Sequence, residues 1–382
     1  MLEAIRKGHP EEKSEDKAET PRPDIRKLRD LLAGPFGIRS LALTGLFILA
    51  SFYTLYLGRE FFLPIVLALL LNFLLSPVVR WLKKIHIPEA VSAILIIFSM
   101  LGLLGLGIYE LSTPAYNWIG QAPQSLHKIE GRLRDLKKPV QTMSKATEQV
   151  EKITKVGGSA DNSPKVQVST QESLGARVFS QATGLAFGAL VLFILLYFLL
   201  ASGDMFLRKL IKVLPSLADK KRAVDIARQI ETEVSTYLIT ITLINVGLGL
   251  AVWGAMALLG IPNPLLWGVV AAFLNFVPFL GPLTMVSVLA MVGFLTFPDL
   301  PHALIAPGAF LGLHVLESYL VTPTVVGRRL TLNPVVVFLG LVFWGWLWGI
   351  AGAILAVPIM MVLKIFCEHS EPLAPIGEFL GD

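Results

Sequence analysis

Long apolar runs alternate with short polar stretches along most of the chain. Six of these runs are close to the length of a membrane-crossing helix, which needs about 20 apolar residues to cross about 30 Å of hydrocarbon. They cover residues 41–57, 61–79, 90–109, 182–201, 237–260 and 303–326. Two further apolar stretches, 264–298 and 334–366, contain interruptions. The pattern predicts an all-α polytopic membrane protein with about eight membrane segments, two of them broken.

Both interrupted stretches are broken near their middle. The first contains NFVPFLGP at 275–282, in which two prolines lack amide hydrogens and Gly281 permits unusual dihedral angles. The second contains GWLWGIAG at 345–352. Since each half is short for a full span, we expect each stretch to form a hairpin whose tip lies at the break. The alternative is a pair of full spans joined by an ordinary turn in water.

Lys and Arg residues cluster beside the predicted spans. They precede the first span, follow the second, and lie between the fourth and the fifth. Such clusters favour the cytoplasmic side, so the N-terminus is expected inside and the long loop after the third span outside. With this orientation the hairpin at 264–298 starts and ends outside, and the hairpin at 334–366 starts and ends inside. The two hairpins are therefore predicted to be opposed.

The predicted organisation has seven parts. In chain order these are a disordered cytoplasmic tail (1–39), spans 1–3 (40–111), an extracytoplasmic amphipathic helical loop (112–181), span 4 (182–201), cytoplasmic amphipathic helices (202–235), a transport core that holds both hairpins (236–366) and a cytoplasmic tail (367–382).

The outer loop carries a pattern of its own. Apolar or small residues recur there at alternating spacings of three and four, as in the seam of a coiled coil. They are Leu126, Ile129, Leu133, Leu136, Val140, Met143, Thr147 and Val150. One interpretation is a helix pair used for oligomerisation or gating. The other is an amphipathic helix on the lipid surface.

Charge is scarce in the last third of the chain. The whole chain is 54% hydrophobic and 16% charged, whereas soluble domains carry about 25% charged residues. Between 234 and 363 the formal charges are Asp299, Glu317, Arg328 and Arg329. Glu317 lies well inside its segment, and His314 lies on the same helical face. A membrane carboxylate indicates function, here proton coupling or solute binding. The alternative is a structural pair with one of the two arginines.

Several classes of function lack their sequence signals. No phosphate-binding GxxxxGK[ST] motif occurs, so ATP-driven pumping by this chain is not expected. The single cysteine, Cys367, cannot form an internal disulfide or a cysteine-built metal site. The net charge of +5 fits cytoplasmic loops facing anionic lipid better than nucleic acid, for which no motif appears. We expect no enzymatic activity, no cofactor and no metal.

Three ordered motifs resemble a known family. They are NPLLWGVVAAFLNFVPFLGP (263–282), ESYLVTPTVVGRRLTLNPVVV (317–337) and LWGIAGAILAVP (347–358), with a further likeness in LLSPVVRWL (74–82). The chain resembles the autoinducer-2 exporter family, the PerM-type permeases, from about residue 40 to 366. The resemblance implies a transporter of the bacterial inner membrane that forms a homo-oligomer, with a pentamer as the family's reported form.

The resemblance also implies site residues. In the first motif they are Asn275, Pro278, Gly281 and Pro282, and in the second they are Glu317, Pro323, Gly327, Leu330 and Pro334. The residues near these motifs and the second break add further candidates for solute binding or transport: His314, Tyr319, Arg328, Asn333, Gly349 and Gly352.

Three functions fit these observations. The leading hypothesis is a secondary or facilitative exporter of a small polar solute, resembling autoinducer-2, that works by alternating access. The second is a sodium or lithium/proton antiporter in which Glu317 carries the proton. The third is a membrane scaffold that transports nothing and binds partners through its outer loop. The predicted partners are the lipid bilayer and either a small polar solute or a monovalent cation.

Overall fold

The computed structural model of the chain describes residues 38–148, 174–203, 205–326 and 332–381. The chain divides into two units, Met1–Leu57 and Gly58–Asp382. The first contains helix α1 (Ile38–Leu57), which exposes large apolar side chains such as Leu46 and Phe47. This exposure suits a helix surrounded by lipid. The predicted disordered tail lies outside the described residues, apart from its last two positions.

The second unit is built from helices. In chain order they are α2 (Arg59–Lys84), α3 (Glu89–Glu148), α4 (Leu174–Ser202), α5 (Met205–Val213), α6 (Leu217–Leu258), α7 (Pro264–Leu274), α8 (Leu280–Thr296), α9 (Leu300–Leu316), α10 (Thr322–Val326), α11 (Pro334–Glu368) and α12 (Ala374–Leu380). A π-helical turn (Glu317–Val321) joins α9 to α10, and a 3₁₀ turn (Glu371–Leu373) precedes α12. The described residues contain no strand, and the predicted all-α fold is confirmed.

Several described helices could cross a membrane. Five are long and apolar enough by length and composition: Arg59–Lys84, Glu89–Trp118, Leu217–Leu258, Leu300–Val325 and Pro334–Glu368, although the last of these folds back on itself at Gly349. A sixth results if Ala186–Ser202 and Leu207–Val213, which meet at 64°, count as one bent span. Three apolar helices are shorter: Ala42–Leu57, Pro264–Leu274 and Leu280–Thr296. The multi-pass prediction is confirmed, and the predicted number of about eight segments is approximate.

Two helices continue beyond the predicted spans. Helix α3 runs without a break from Glu89 to Glu148, about 90 Å at 1.5 Å per residue. The predicted outer-loop helix therefore begins as an extension of the third span. The side chains of the predicted heptad seam lie outside the described part of the chain. Helix α6 likewise joins the polar segment before 237 to the following span. It begins at Ser216, whose hydroxyl accepts a 3.0 Å hydrogen bond from the Asp219 amide.

The first broken segment folds as α7 and α8, separated by residues 275–279. Phe279 has a φ of 63°, in the left-handed region, where the chain reverses before α8. Gly281 in the first turn of α8 lies directly against the end of α7: a Cβ on it would lie 1.9 Å from the Leu274 carbonyl oxygen. Only glycine permits this approach, so the arms can fold back closely at the predicted break.

The second broken segment, α11, turns back at Gly349. Its φ of 67° and ψ of −147° are non-helical and favour glycine. A Cβ on Gly340 would lie 3.0 Å from the Met360 side chain. In a straight helix residues 20 apart would be separated by about 30 Å. The two arms of α11 are therefore antiparallel, and Gly349 forms the tip predicted within GWLWGIAG.

The last residues pack on the base of this second hairpin. Asn333, just before α11, donates a backbone hydrogen bond of 3.2 Å to the Leu380 carbonyl. A Cβ on buried Gly377 would lie 2.9 Å from the backbone nitrogen of Glu368. The predicted tail 367–382 thus contains a short helix that contacts α11.

Two buried clusters hold the second unit together. One lies among α6, α7, α8 and α9 and includes Met256, Trp267, Met285, Leu289 and Phe310. The other lies among α2, α3 and α4 and includes Ala68, Val79, Ala93, Ile97, Leu196 and Leu200. Many large apolar side chains outside these clusters are exposed. This surface fits a lipid environment, where contact with hydrocarbon carries no hydrophobic penalty.

Candidate functional site

The tip of the first hairpin is bound to helix α6 by a pair of amides. Asn275 ends α7, and its Nδ2 donates a 2.9 Å hydrogen bond to Oδ1 of Asn245. Asn245 is fully buried. Its own Nδ2 is also buried and has no hydrogen-bond partner among the described residues. Asn245 was not among the predicted site residues, although a lone asparagine in the predicted span 237–260 is a signal that could have identified it.

The prolines at this tip have different local effects. The Pro278 carbonyl accepts a 2.7 Å bond from the Leu280 amide, within the reversal between the helices. Pro282 is the third residue of α8, where its missing amide hydrogen costs no helical bond. The Gly281 amide donates to the Val277 carbonyl at 2.9 Å. The chain is thus non-helical only over a few residues between two regular arms.

A second polar cluster surrounds Glu317, which is only 7% exposed. Thr322 Oγ1 donates to its Oε1 at 2.5 Å, and Ser318 Oγ donates to its Oε2 at 3.2 Å. His314 Nδ1 lies 3.4 Å from the same Oε2 but is not aligned for a hydrogen bond. Its ring stacks on Phe310, with centroids 5.9 Å apart. This geometry agrees with the prediction that His314 and Glu317 lie on the same helical face.

A π-helical turn brings the Thr322 hydroxyl next to the Glu317 carboxyl group. The Thr322 amide bonds to the Glu317 carbonyl, five residues earlier, so the turn holds one residue more than an α-helical turn. Pro323 follows immediately, and its ring excludes the α-helical bond to residue 319. Such bulges are frequent at functional sites. Tyr319 is 78% exposed, so the structure does not bring its side chain into the buried cluster.

The remaining candidates divide into described and undescribed residues. Asn333 caps α11, and its Oδ1 accepts a 2.9 Å bond from the Val335 amide, while Pro334 is the first helical residue. Gly352 lies against the other arm of its hairpin, where a Cβ would meet the Trp344 carbonyl oxygen. Gly327, Arg328 and Leu330 lie outside the described residues. The alternative pairing of Glu317 with Arg328 or Arg329 is outside them as well.

Two cavities lie on different faces of α6. One, of about 450 Å³, is lined by Asn245, Phe276 and Pro358, among others. The other, of about 300 Å³, lies between α6 and the end of α9 and is lined by Ile244 and Glu317 among others. Asn245 and Glu317 therefore face different spaces.

A third cavity, of about 490 Å³, is lined by residues of α2, α3, α4, α5 and α6. Its lining includes Asn72 and two ion pairs. Arg80 Nη1 donates to Glu231 Oε1 at 2.5 Å, and Lys83 Nζ donates to Glu89 Oε1 at 2.6 Å. The basic residues of this cavity belong to the cluster that predicts a cytoplasmic position.

Comparison with known proteins now identifies the family. The model described as AI-2E family transporter matches residues 46–371, which includes both hairpins and the Glu317 cluster. The chain belongs to the AI-2E transporter family. Membership in this family supports a role in membrane transport and a role other than catalysis. The exposed apolar helices agree with a multi-pass membrane protein.

Relatives of this AI-2E family chain match over most of their length. The chain is 27% identical over 341 residues to "AI-2 transport protein TqsA" of Escherichia coli (strain K12), covering 85% of this chain and 90% of that protein. It is 28% identical over 312 residues to "Putative transport protein YueF" of Bacillus subtilis (strain 168), covering 80% and 83%. It is 30% identical over 327 residues to "Putative transport protein MT0215" of Mycobacterium tuberculosis, covering 84% and 86%.

Proposed function

We propose that this AI-2E family chain is a secondary or facilitative exporter of a small polar solute that works by alternating access. The observation that carries the proposal is the pair of antiparallel broken segments, α7–α8 and α11, with glycine tips at Gly281 and Gly349. Non-helical backbone at membrane depth is tolerated where protein buries it or water reaches it. Broken helices of this kind form the solute and ion sites of secondary transporters.

Contacts between the two hairpins support their opposed orientation. Phe279 at the first tip lies 6.2 Å from Phe338, measured between ring centroids. Phe338 is the fifth residue of α11 and therefore lies near the base of the second hairpin. Opposed hairpins that overlap in depth place the tip of one beside an arm of the other, whereas hairpins of equal depth that enter from one side would place tip beside tip. The contact agrees with the opposed arrangement.

The amide pair gives the first tip a polar contact inside the apolar core. Asn275 supplies one amide and Asn245 the other, 2.9 Å apart. A hydrogen bond between two side chains on separate elements can be exchanged for a bond to a hydroxyl-bearing solute as the tip moves. We propose that the hairpins and the span 303–326 form the mobile part, and that α2–α4 with the long outer extension of α3 form the frame.

The solute class follows from the relatives. One of them is named as an AI-2 transport protein, so we propose an autoinducer-2-like molecule, small, polar and rich in oxygen atoms. We further propose the bacterial inner membrane as the location, a cytoplasmic N-terminus, and a homo-oligomer. The basic clusters that flank the predicted spans support this orientation.

Flux through reconstituted vesicles tests the transport proposal. Vesicles containing the wild-type protein, Gly281→Leu or Pro278→Ala would be loaded with labelled autoinducer-2, and its release would be followed with and without a proton or sodium gradient. Gly281→Leu should lose most of the flux because its side chain collides with the Leu274 carbonyl. Pro278→Ala should lose most of it because the restored amide hydrogen lets helical structure extend into the break. Gly308→Ala is the control, since no atom lies within 4 Å of a Cβ there. Unchanged flux by folded tip variants would contradict the proposal.

The Glu317 cluster favours a second candidate, a sodium or lithium/proton antiporter. The carboxyl group is buried, and Thr322 and Ser318 both donate to it. Glu317→Gln keeps the shape of the side chain and removes the exchangeable proton. In vesicles with an internal pH dye, this variant should lose sodium-driven proton movement. Retained exchange with the same pH dependence would exclude Glu317 as the proton carrier.

A further inference from the structure

The cavity beside Asn245 is formed by four elements of the second unit. Residues of α2, α6, α7 with its tip, and the second arm of α11 line an open-sided space of about 450 Å³. Small-molecule pockets in proteins are typically about 300–1,000 Å³. Phe276 of the hairpin tip and Pro358 of α11 belong to the lining, so the cavity touches both hairpins.

One polar group in this cavity lacks a partner. Asn245 is fully buried and lines the cavity, and its Oδ1 already accepts from Asn275. Its Nδ2 is buried without a hydrogen bond among the described residues. A buried donor without a partner costs about 1–3 kcal/mol. Nδ2 is closed to solvent in the described structure, so a ligand atom that accepts from it must first displace part of the lining, and the new hydrogen bond then removes the penalty.

The rest of the lining restricts the ligand. None of the lining residues carries a charge, and most are aliphatic or aromatic, such as Leu70 and Leu355. Tyr237 and Thr242 add hydroxyl groups. A charged ligand would lose its hydration without gaining an ionic partner, which is costly. A purely hydrocarbon ligand would leave the Asn245 amide unsatisfied.

We infer that this cavity binds a neutral amphiphile whose apolar body fills the space among α2, α6 and α11 and whose carbonyl-type oxygen accepts from Nδ2 of Asn245. This goes beyond the proposed export of a polar solute: the ligand differs in class, and its binding does not depend on flux. Because Asn245 also holds Asn275, the ligand would contact the amide pair that fixes the hairpin tip.

Photolabelling in lipid nanodiscs tests the inference. The probe is an aliphatic ketone with a diazirine group, and labelled peptides are located by mass spectrometry. Labelling should map to cavity-lining segments of α6 and α11. Unlabelled 2-octanone and octane then compete at equal concentration in the bilayer. The ketone should compete about tenfold more effectively, as expected for one satisfied buried amide.

Three variants separate the specific site from general lipid contact. Asn245→Leu should remove the ketone preference, while Asn72→Leu makes the same change in the third cavity and should keep it. Val246→Trp adds a bulky side chain at an exposed lining position and should block labelling without disturbing buried packing. Equal competition by octane and 2-octanone in the wild type would overturn the inference, as would undiminished labelling of Val246→Trp. Flux plays no part in either readout, so failure of the export proposal would be seen separately.

Discussion

Gly281 packs directly against the Leu274 carbonyl group where the two arms of the first hairpin meet. A Cβ on Gly281 would lie 1.9 Å from the Leu274 carbonyl oxygen and 2.6 Å from its carbonyl carbon. Both atoms belong to the backbone and cannot rotate away. The contact explains why a glycine directly precedes Pro282 in this motif: the chain needs glycine where the two helices meet.

Gly281→Ala should therefore destabilise the protein. The added methyl group overpacks the junction, and overpacking typically costs about 1–3 kcal/mol. The free energy of unfolding in mixed detergent micelles measures the change. Gly308→Ala serves as the control, because a Cβ on this α9 residue meets nothing within 4 Å. That control should be neutral or gain up to about 1 kcal/mol from improved helix propensity. Equal stability of Gly281→Ala and the control would contradict the observed hairpin junction.

Gly249 of α6 and Gly268 of α7 form a second close contact. A Cβ on Gly249 would lie 2.8 Å from the Gly268 carbonyl oxygen, and a Cβ on Gly268 would lie 2.6 Å from the Gly249 carbonyl oxygen. Small residues on both sides let membrane helices approach closely. Gly249→Ala should lower the free energy of unfolding by about 1–3 kcal/mol.

Gly247→Ala is the matched control for this contact. It lies on the same helix two residues away, and a Cβ there has nothing within 4 Å. Its free energy of unfolding should stay within about 1 kcal/mol of the wild type. If both alanines had the same effect, the close packing of α6 on α7 would not be the reason for glycine at 249.

The sequence predicts the breaks well because their causes are local. Pro278 and Gly281 mark the first break, and the glycine-rich stretch around Gly349 marks the second, since each changes the backbone where it stands. The partner of Asn275 could not be predicted in this way. Asn245 is 30 residues earlier, on another helix, and only the packing of α6 on α7 brings the two amides together.

Helix ends were harder to predict than helix identity. The apolar run of the third span ends near residue 109, yet α3 continues to Glu148. Hydropathy indicates which residues can lie in the hydrocarbon layer, but a helix can continue beyond that layer into its polar residues. The hydrophobic pattern also does not predict the π-helical turn at Glu317, although Pro323 indicates a local change in the helical backbone. The pairing of Glu317 with Thr322 depends on that extra residue.

The Asp299 carboxyl group should make stability depend on pH. Asp299 precedes α9, outside the helix, and a side-chain hydrogen bond with His302 lowers its pKa below the ordinary value of 3.8. A lowered carboxyl pKa contributes stability above the ordinary value, and that contribution is lost as the pH falls through the lowered pKa. Asp299→Asn keeps an acceptor for the helix cap but removes this titration.

Thermal unfolding from pH 7 down to pH 2 measures this contribution. Wild type and Asp299→Asn should differ most above pH 4, and their Tm values should converge as the carboxyl group becomes protonated. The difference will be small, because the pair is exposed and solvent screens it. A Tm difference that stayed constant down to pH 2 would show that the hydrogen bond with His302 does not favour the ionised carboxylate.

Thr322 should stabilise the protein through the buried Glu317 carboxyl group. Its Oγ1 donates to Glu317 Oε1 at 2.5 Å, and Glu317 is 7% exposed, so water cannot replace the donor. Thr322→Val keeps the shape and removes the hydroxyl. A buried acceptor left without its donor costs about 1–3 kcal/mol, and the free energy of unfolding should fall by that amount.

Thr324→Val tests whether this loss is specific to Glu317. In the described structure the Thr324 hydroxyl donates only to backbone carbonyls of the preceding π-helical turn, at 2.7 Å to Leu320 and 2.9 Å to Val321, and it is exposed. Its replacement should change the free energy of unfolding by less than about 0.5 kcal/mol. In the background Glu317→Gln, Thr322→Val should cost less than in the wild type, because the carboxyl group to which Thr322 donates has already been removed. If Thr322→Val lowered the free energy of unfolding equally in both backgrounds, Thr322 would not stabilise the protein through the Glu317 carboxyl group.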